Sequence, residues 1–400
     1  MLTLKRTWLL IAIPILVILA ALLAVRIVGS IDYHHNDNDF FTFWLAGHLV
    51  AQAGNPYDIT QWLAGYHQFD IGFIPNHPIF LYPLPLALLL APLGFIPFHS
   101  AYVAWVTLTQ LMIIASLTIL LSLETNPRTK LFFIPLFAGI VLFRPTLLTL
   151  IQGQVSGLFL FALVWVAFLW QKGKWFWGGF LLGLLALKPN LGVIVIILLT
   201  IWLLLQKYWK ALYGMLVSGV FLLIAGLIYN PGWVAQYWHV GSNKFAEASG
   251  SYPTVWELGA LIGHNATPAT LIIGGLAALL ILFGFFWTIL RSRAALPPVS
   301  VLALAITVTL LVTPYTWTYD QLLLIFPIIV LTLALDRTGV RFLLPAAIFL
   351  GIDVLVVVLL YYDTLLQGEV LNVVVPLVVF GLCLWRFYRR IPANTRESDF

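Results

Sequence analysis

A single cysteine, Cys383, stands in a chain of 400 residues. No disulfide framework and no cysteine-built metal site can therefore form within it. Charge is scarce as well: only 9% of the residues are Asp, Glu, Lys or Arg. With 62% apolar residues and a mean hydropathy of +1.01, that scarcity excludes a soluble domain. No glycine-rich phosphate loop, dinucleotide fingerprint, HExxH or CxxC pattern occurs, which leaves nucleotide-driven chemistry unsupported. Basic residues are not gathered into one patch but sit in short connections between apolar runs. The sequence pI of about 9.2 thus reads as a topology signal, and no nucleic-acid partner is expected.

What is present is a series of apolar runs close to the roughly 20 residues that a bilayer crossing needs. They predict an all-α polytopic membrane protein forming one integral membrane domain over 1–400. About 12 transmembrane helices are expected, near 8–28, 100–122, 130–148, 155–171, 175–187, 190–206, 211–229, 269–290, 298–314, 320–335, 341–361 and 370–388. The first run is longer than a signal-peptide core and is expected to stay as an anchor. With a cytoplasmic N-terminus, the inner connections hold the pairs Lys5/Arg6, Arg128/Lys130, Lys172/Lys174, Lys207/Lys210, Arg291/Arg293 and Arg337/Arg341. The tail adds Arg386, Arg389, Arg390 and Arg396, so 16 of the 20 basic residues lie inside, as the positive-inside rule requires. Both termini are then cytoplasmic, in a multi-pass protein of the cell membrane.

That orientation leaves two long extracytoplasmic loops, 29–78 and 230–268. The first carries Asp32, Asp37, Asp39, Asp58 and Asp70 and no Lys or Arg. Phe40, Phe43, Trp44 and Gly47 recur at i, i+3, i+4 and i+7, which predicts an amphipathic helix on the membrane surface. Asn38 or Asp39 would cap it and Gly54 would stop it. Asp58 with Gln61 resembles a capping box for a second helix reaching Phe69. The proline-interrupted apolar stretch 79–97 is expected to be a re-entrant or interfacial helix, since a full crossing there would invert the downstream charge pattern.

Three groups of residues could carry chemistry. Asp32, Asp37 and Asp39, with His34 and His35 among them, sit where a carboxylate could act as a general base; Asp37 to Asp39 could instead cap a helix and solvate the loop, or the aspartates and histidines could hold a metal. Arg144 and Lys188 each stand at the outer end of a span beside a proline. A charge in such a place is costly and by default functional, and two cations there could bind a phosphate with its lipid tail in the bilayer. Gln152, Gln154 and Ser156 add donors suited to a sugar. In TPYTWTYDQ, 313–321, Tyr315, Trp317 and Tyr319 could stack on sugar rings while Asp320 accepts a hydroxyl, although interfacial aromatics are also ordinary belt residues.

DFFTFWLAGHLVAQAGNPYD, YPLPLALLLAPLGFIP, GQVSGLFLF and GGFLLGLLALKPNLGVI occur in this order over about 30–210. The set resembles the polyprenyl-phosphate-mannose-dependent transferases of glycosyltransferase family 87, which include the phosphatidylinositol-mannoside mannosyltransferases. The resemblance implies a GT-C-type fold and an active site on the extracytoplasmic face. It also implies inverting transfer of a hexose, typically mannose, from a polyprenyl-phosphate donor to a lipid or glycan acceptor. The family's base is an aspartate of the first outer loop; Asp39, before Phe40, matches that position, and Asp37 is two residues away. Arg144 and Lys188 would then hold the donor phosphate. His34, His35, Tyr82, Gln152, Gln154, Tyr319 and Asp320 would contact sugar or acceptor, with Tyr319 and Asp320 standing where members often have a histidine. No cofactor is implied, and the two cations would take the place of a metal. A polytopic transporter or lipid flippase is the alternative, for which Asp353 is the nearest approach to a mid-span charge.

Overall fold

The computed structural model describes residues 2–31, 39–69, 80–123, 132–247, 252–263, 267–292, 296–335, 344–366 and 369–388, and among them there is no strand. The helices are α1 (Leu2–Gly29), α2 (Asp39–Ala51), α3 (Ile59–Phe69), α4 (Leu84–Gly94), α5 (Phe98–Ser122), α6 (Phe133–Leu142), α7 (Arg144–Ile151), α8 (Ser156–Gln171) and α9 (Trp175–Leu184). They continue with α10 (Pro189–Leu205), α11 (Trp209–Tyr229), α12 (Trp233–Glu247), α13 (Val255–Ile262), α14 (Thr267–Ser292), α15 (Pro298–Val312), α16 (Ile325–Leu335), α17 (Leu344–Leu366) and α18 (Val374–Tyr388). Tight 3₁₀ turns at Leu185–Leu187, Thr318–Leu324 and Val370–Val373 lead into α10, α16 and α18.

The described part of every predicted crossing is mainly helical. By length and composition, however, four helical stretches among the described residues suffice to cross a bilayer: Phe98–Ser122, Trp209–Tyr229, Pro268–Ser292 and Val370–Phe387. A fifth counts if α6 and α7, bent by 60°, form one span. The other apolar helical stretches counted in this way have 10–17 residues, among them Ile13–Gly29 of α1 and Ala347–Leu359 of α17. The bend in 130–148 falls at Phe143, whose ψ of 115° leaves the helical region. Pro145 explains it, having no N–H to donate and a ring that collides with the preceding turn.

Two compact units divide the chain. The first comprises residues 1–115, 148–158 and 222–248. Its centre is the crossing of α2 and α4, where a β-carbon at Gly47 would lie 2.7 Å from the Leu90 carbonyl oxygen and one at Gly94 would lie 2.4 Å from the His48 nitrogen. Only glycine allows backbones so close. The Trp44 indole donates to the Leu93 and Ile96 carbonyls, both at 3.1 Å, and His48 Nδ1 lies 2.8 Å from the Gly94 carbonyl oxygen. Helix α2 buries Phe40 through Gly47, Leu49 and Val50, so it is covered on every side. The one-faced surface helix expected from the Phe40/Phe43/Trp44/Gly47 spacing is therefore not what forms: Phe41, Leu45 and Ala46 extend the apolar surface around the cylinder.

The end of α2 also differs in detail. Ala53, not Gly54, takes the left-handed conformation with φ 59°. Asp58 does cap α3, its carboxylate accepting from the Thr60 and Gln61 amides at 2.8 and 3.1 Å. Gln61 reaches further back than a capping box requires, to the Asn55 amide at 2.8 Å. The segment 79–97 contains the 11-residue α4, about 16 Å long at 1.5 Å per residue and too short to cross.

The second unit comprises residues 116–147, 159–221 and 249–400. Helix α15 is its core, with every residue from Ser300 to Leu311 buried. Helices α9 and α11 meet backbone to backbone at Gly179 and Gly214.

Candidate functional site

In the first unit Asp39 is the opening residue of α2, where the unpaired amides and the helix dipole favour an anion. Its Oδ2 accepts a 2.6 Å hydrogen bond from Gln154 Nε2. Gln154 is 1% exposed and belongs to the QGQ turn after α7. That turn is held from several sides. Gly153 has φ +58°, and a side chain there would strike Phe40 and Tyr102. The Trp105 indole donates to the Gly153 carbonyl at 2.8 Å, and the Tyr102 hydroxyl donates to the Ile151 carbonyl. Phe40 stacks on Tyr102 with centroids 4.5 Å apart. One aromatic block therefore fixes both the carboxylate and the amide that contacts it. Gln152 is half-buried on the same turn.

Tyr82 lies 5.1 Å from the Phe43 ring, and its carbonyl accepts the Tyr57 hydroxyl at 2.7 Å. Burial, and secondarily Tyr237, push the Tyr57 phenol above its ordinary value. His34, His35 and Asp37 lie outside the described residues. Among the described residues no group of three or more His, Cys, Asp or Glu could hold a metal ion.

In the second unit Lys188 and Asp320 form an ion pair at 2.6 Å, each side chain 1% exposed. Asp320 Oδ2 also accepts from the Thr316 hydroxyl at 3.0 Å and the Trp317 amide at 3.3 Å. The Lys188 ammonium stands 5.2 Å from the centre of the Tyr319 ring. Neither side chain presents its charge to the surface in this arrangement. Asn190, two residues after Lys188, donates to the Tyr315 carbonyl at 3.2 Å, and its own carbonyl accepts from Thr313 at 2.7 Å.

The segment from Tyr315 to Asp320 alternates. Thr316, Thr318 and Asp320 are buried, whereas Tyr315, Trp317 and Tyr319 are half-buried, with Tyr252 packed edge-on against Tyr315 and Trp317. Burial, and then Glu257, raise the Tyr252 phenol. Rings and buried polar anchors thus alternate from Tyr315 through Trp317 and into the first residues of the 3₁₀ turn at Thr318.

Arg144 opens α7 next to the break. Its Nη2 is 3.6 Å from Glu369 Oε1, with about a quarter of each side chain exposed. Its Nη1 is buried and has no hydrogen-bond partner among the described residues. Glu369 Oε2 accepts from the Thr318 amide at 3.0 Å and the Thr318 hydroxyl at 2.6 Å. Thus Asp39 and Gln154 come together in one unit, and Arg144, Lys188, Tyr319 and Asp320 belong to the other. Sequence reasoning missed Glu369, Thr316 and Thr318. Glu369 was findable as an acid heading the last apolar run; two threonines in a membrane chain carry no such signal.

These features define a class, that of helical membrane proteins with polar and aromatic side chains set at the ends of apolar helices. Residues 80–314 match the model of glycosyltransferase family 87, more than half of the chain, and the chain belongs to that family. It is a membrane glycosyltransferase. Tyr82, Arg144, Gln152, Gln154 and Lys188 fall inside the match; Asp39, Tyr319, Asp320 and Glu369 fall outside it. No curated protein and no solved structure matches the chain.

Proposed function

We propose that the chain moves a hexose, foremost mannose, from a polyprenyl-phosphate donor to a lipid or glycan acceptor on the extracytoplasmic face, inverting the anomeric centre. Asp39 is the general base in this reading, with Asp37 as its near neighbour. The observation that carries it is the 2.6 Å contact by which Gln154 fixes the Asp39 carboxylate at the head of α2. A donated hydrogen bond stabilises the ionised form and orients the carboxylate, as a base needs to be oriented before it meets a hydroxyl.

The chemistry balances in one displacement. The carboxylate takes the proton of the acceptor hydroxyl as its oxygen bonds to the anomeric carbon. The bond from that carbon to the phosphate oxygen breaks, and the phosphate leaves with the electron pair. Cationic donors lower the cost of the growing phosphate charge. Arg144 is assigned that role because Nη1 is a buried donor without a hydrogen-bond partner among the described residues. Lys188 is assigned to it through the same segment, Tyr315 to Asp320, which contains its partner Asp320 and holds Arg144's partner Glu369 through Thr318; to meet a phosphate, Lys188 would have to part from Asp320. The half-buried rings of Tyr315, Trp317 and Tyr319 offer stacking faces to a sugar. His34, His35, Tyr82 and Gln152 remain proposed contacts of sugar or acceptor.

Incubating membranes that contain the chain with radiolabelled polyprenyl-phosphate-mannose tests the donor. Label should pass to a lipid or glycan fraction, with inverted linkage by NMR of the product. Transfer only from a nucleotide sugar would contradict the proposal.

A further inference from the structure

We infer that Glu369 is a positioning residue for Arg144, and that Thr318 sets it. This rests on the reading of Arg144 as the donor-phosphate cation. Three observations converge. First, Glu369 is held rigidly: one oxygen, Oε2, takes both the amide and the hydroxyl of Thr318 at 3.0 and 2.6 Å. Second, its other oxygen faces Arg144 Nη2 at 3.6 Å. That is longer than the about 2.7–2.9 Å of a charge-assisted hydrogen bond, so the carboxylate steers the guanidinium without being locked onto it. Third, the other end of the fork, Nη1, is buried and unpartnered among the described residues.

A guanidinium is planar, so drawing one nitrogen towards a carboxylate narrows the directions open to the other. Glu369 attracts Nη2 and so favours the orientation in which Nη1 can donate to a phosphate oxygen. Without that attraction, Arg144 would regain rotamer freedom that binding would have to remove again. Because Thr318 is two residues from Asp320, the segment that seals Lys188 also fixes Glu369.

Donor KM and kcat of the full chain in membranes separate positioning from bulk stability. Glu369→Ala should raise the donor KM for polyprenyl-phosphate-mannose by about tenfold or more, within the range that misplacement of a binding group costs. Glu369→Asp should recover part of it, and Thr318→Val should move KM in the same direction by less. Glu369→Gln keeps an acceptor for Thr318 and guards against misfolding of the alanine variant; it should still raise KM. Arg144→Ala should raise donor KM too, and Arg144→Ala combined with Glu369→Ala should be no worse than Arg144→Ala alone. An unchanged KM in Glu369→Ala and Glu369→Gln, with KM raised in Arg144→Ala, overturns the positioning role alone. An unchanged donor KM in Arg144→Ala overturns the phosphate reading on which it stands.

Discussion

Lys188 and Asp320, separated by 132 positions in the chain, meet at 2.6 Å, each with a side chain only 1% exposed. Two opposite charges sealed from water tolerate burial only as a pair. Removing one partner leaves an uncompensated charge, which costs about 3–5 kcal/mol. Lys188→Met and Asp320→Leu should each lower the thermal midpoint of the detergent-solubilised protein markedly. The double replacement should lose less than the sum, because it removes both charges at once. Additive losses in a thermal-shift experiment would contradict the pairing.

Gly153→Ala should disturb the Asp39 carboxylate without touching it. The residue has φ +58°, and its added carbon would lie 2.5 Å from the Phe40 β-carbon and 2.7 Å from the Tyr102 ring. The left-handed backbone alone costs about 1–2 kcal/mol for a non-glycine residue, and the clash adds to it. Transfer activity per folded molecule should fall as the Gln154 contact shifts, with kcat/KM as the readout.

Tyr57→Phe removes a buried hydrogen bond of 2.7 Å to the Tyr82 carbonyl and should cost about 1 kcal/mol. The pH response has a definite sign. Burial raises the folded-state pKa above the ordinary value of a tyrosine phenol, so folding favours the neutral phenol. The contribution is complete below the unfolded value near 10 and is lost as pH rises above it. Unfolding midpoints of the wild type and of Tyr57→Phe should therefore run in parallel below that pH and converge above it.

Much of the helical plan was legible because apolar runs and loop charges obey the bilayer's rules. The described parts of the predicted crossings are mainly helical, and the Asp58 cap stands where its spacing placed it. Less legible was which faces are covered. Phe40, Phe43 and Trp44 gave a periodicity, but Phe41, Leu45 and Ala46 fill the remaining faces, and neighbouring elements decide whether those are buried. The break at Phe143 was readable in outline from Pro145, yet its sharpness depends on packing. Pairings such as Lys188 with Asp320, or Arg144 with Glu369, join residues far apart in sequence, and no local pattern encodes them. The alternation in YTWTYD did carry information: its odd and even positions divide into rings and buried polar groups.

The assignment of Asp39 as base is tested most directly by Asp39→Asn, assayed in membranes with radiolabelled polyprenyl-phosphate-mannose beside the unmodified chain. Asparagine keeps the size and an acceptor for Gln154 but cannot take the proton. Transfer should fall by about a hundred- to ten-thousandfold, with the protein still present in the membrane at normal amount. Transfer at the unmodified rate would contradict the assignment.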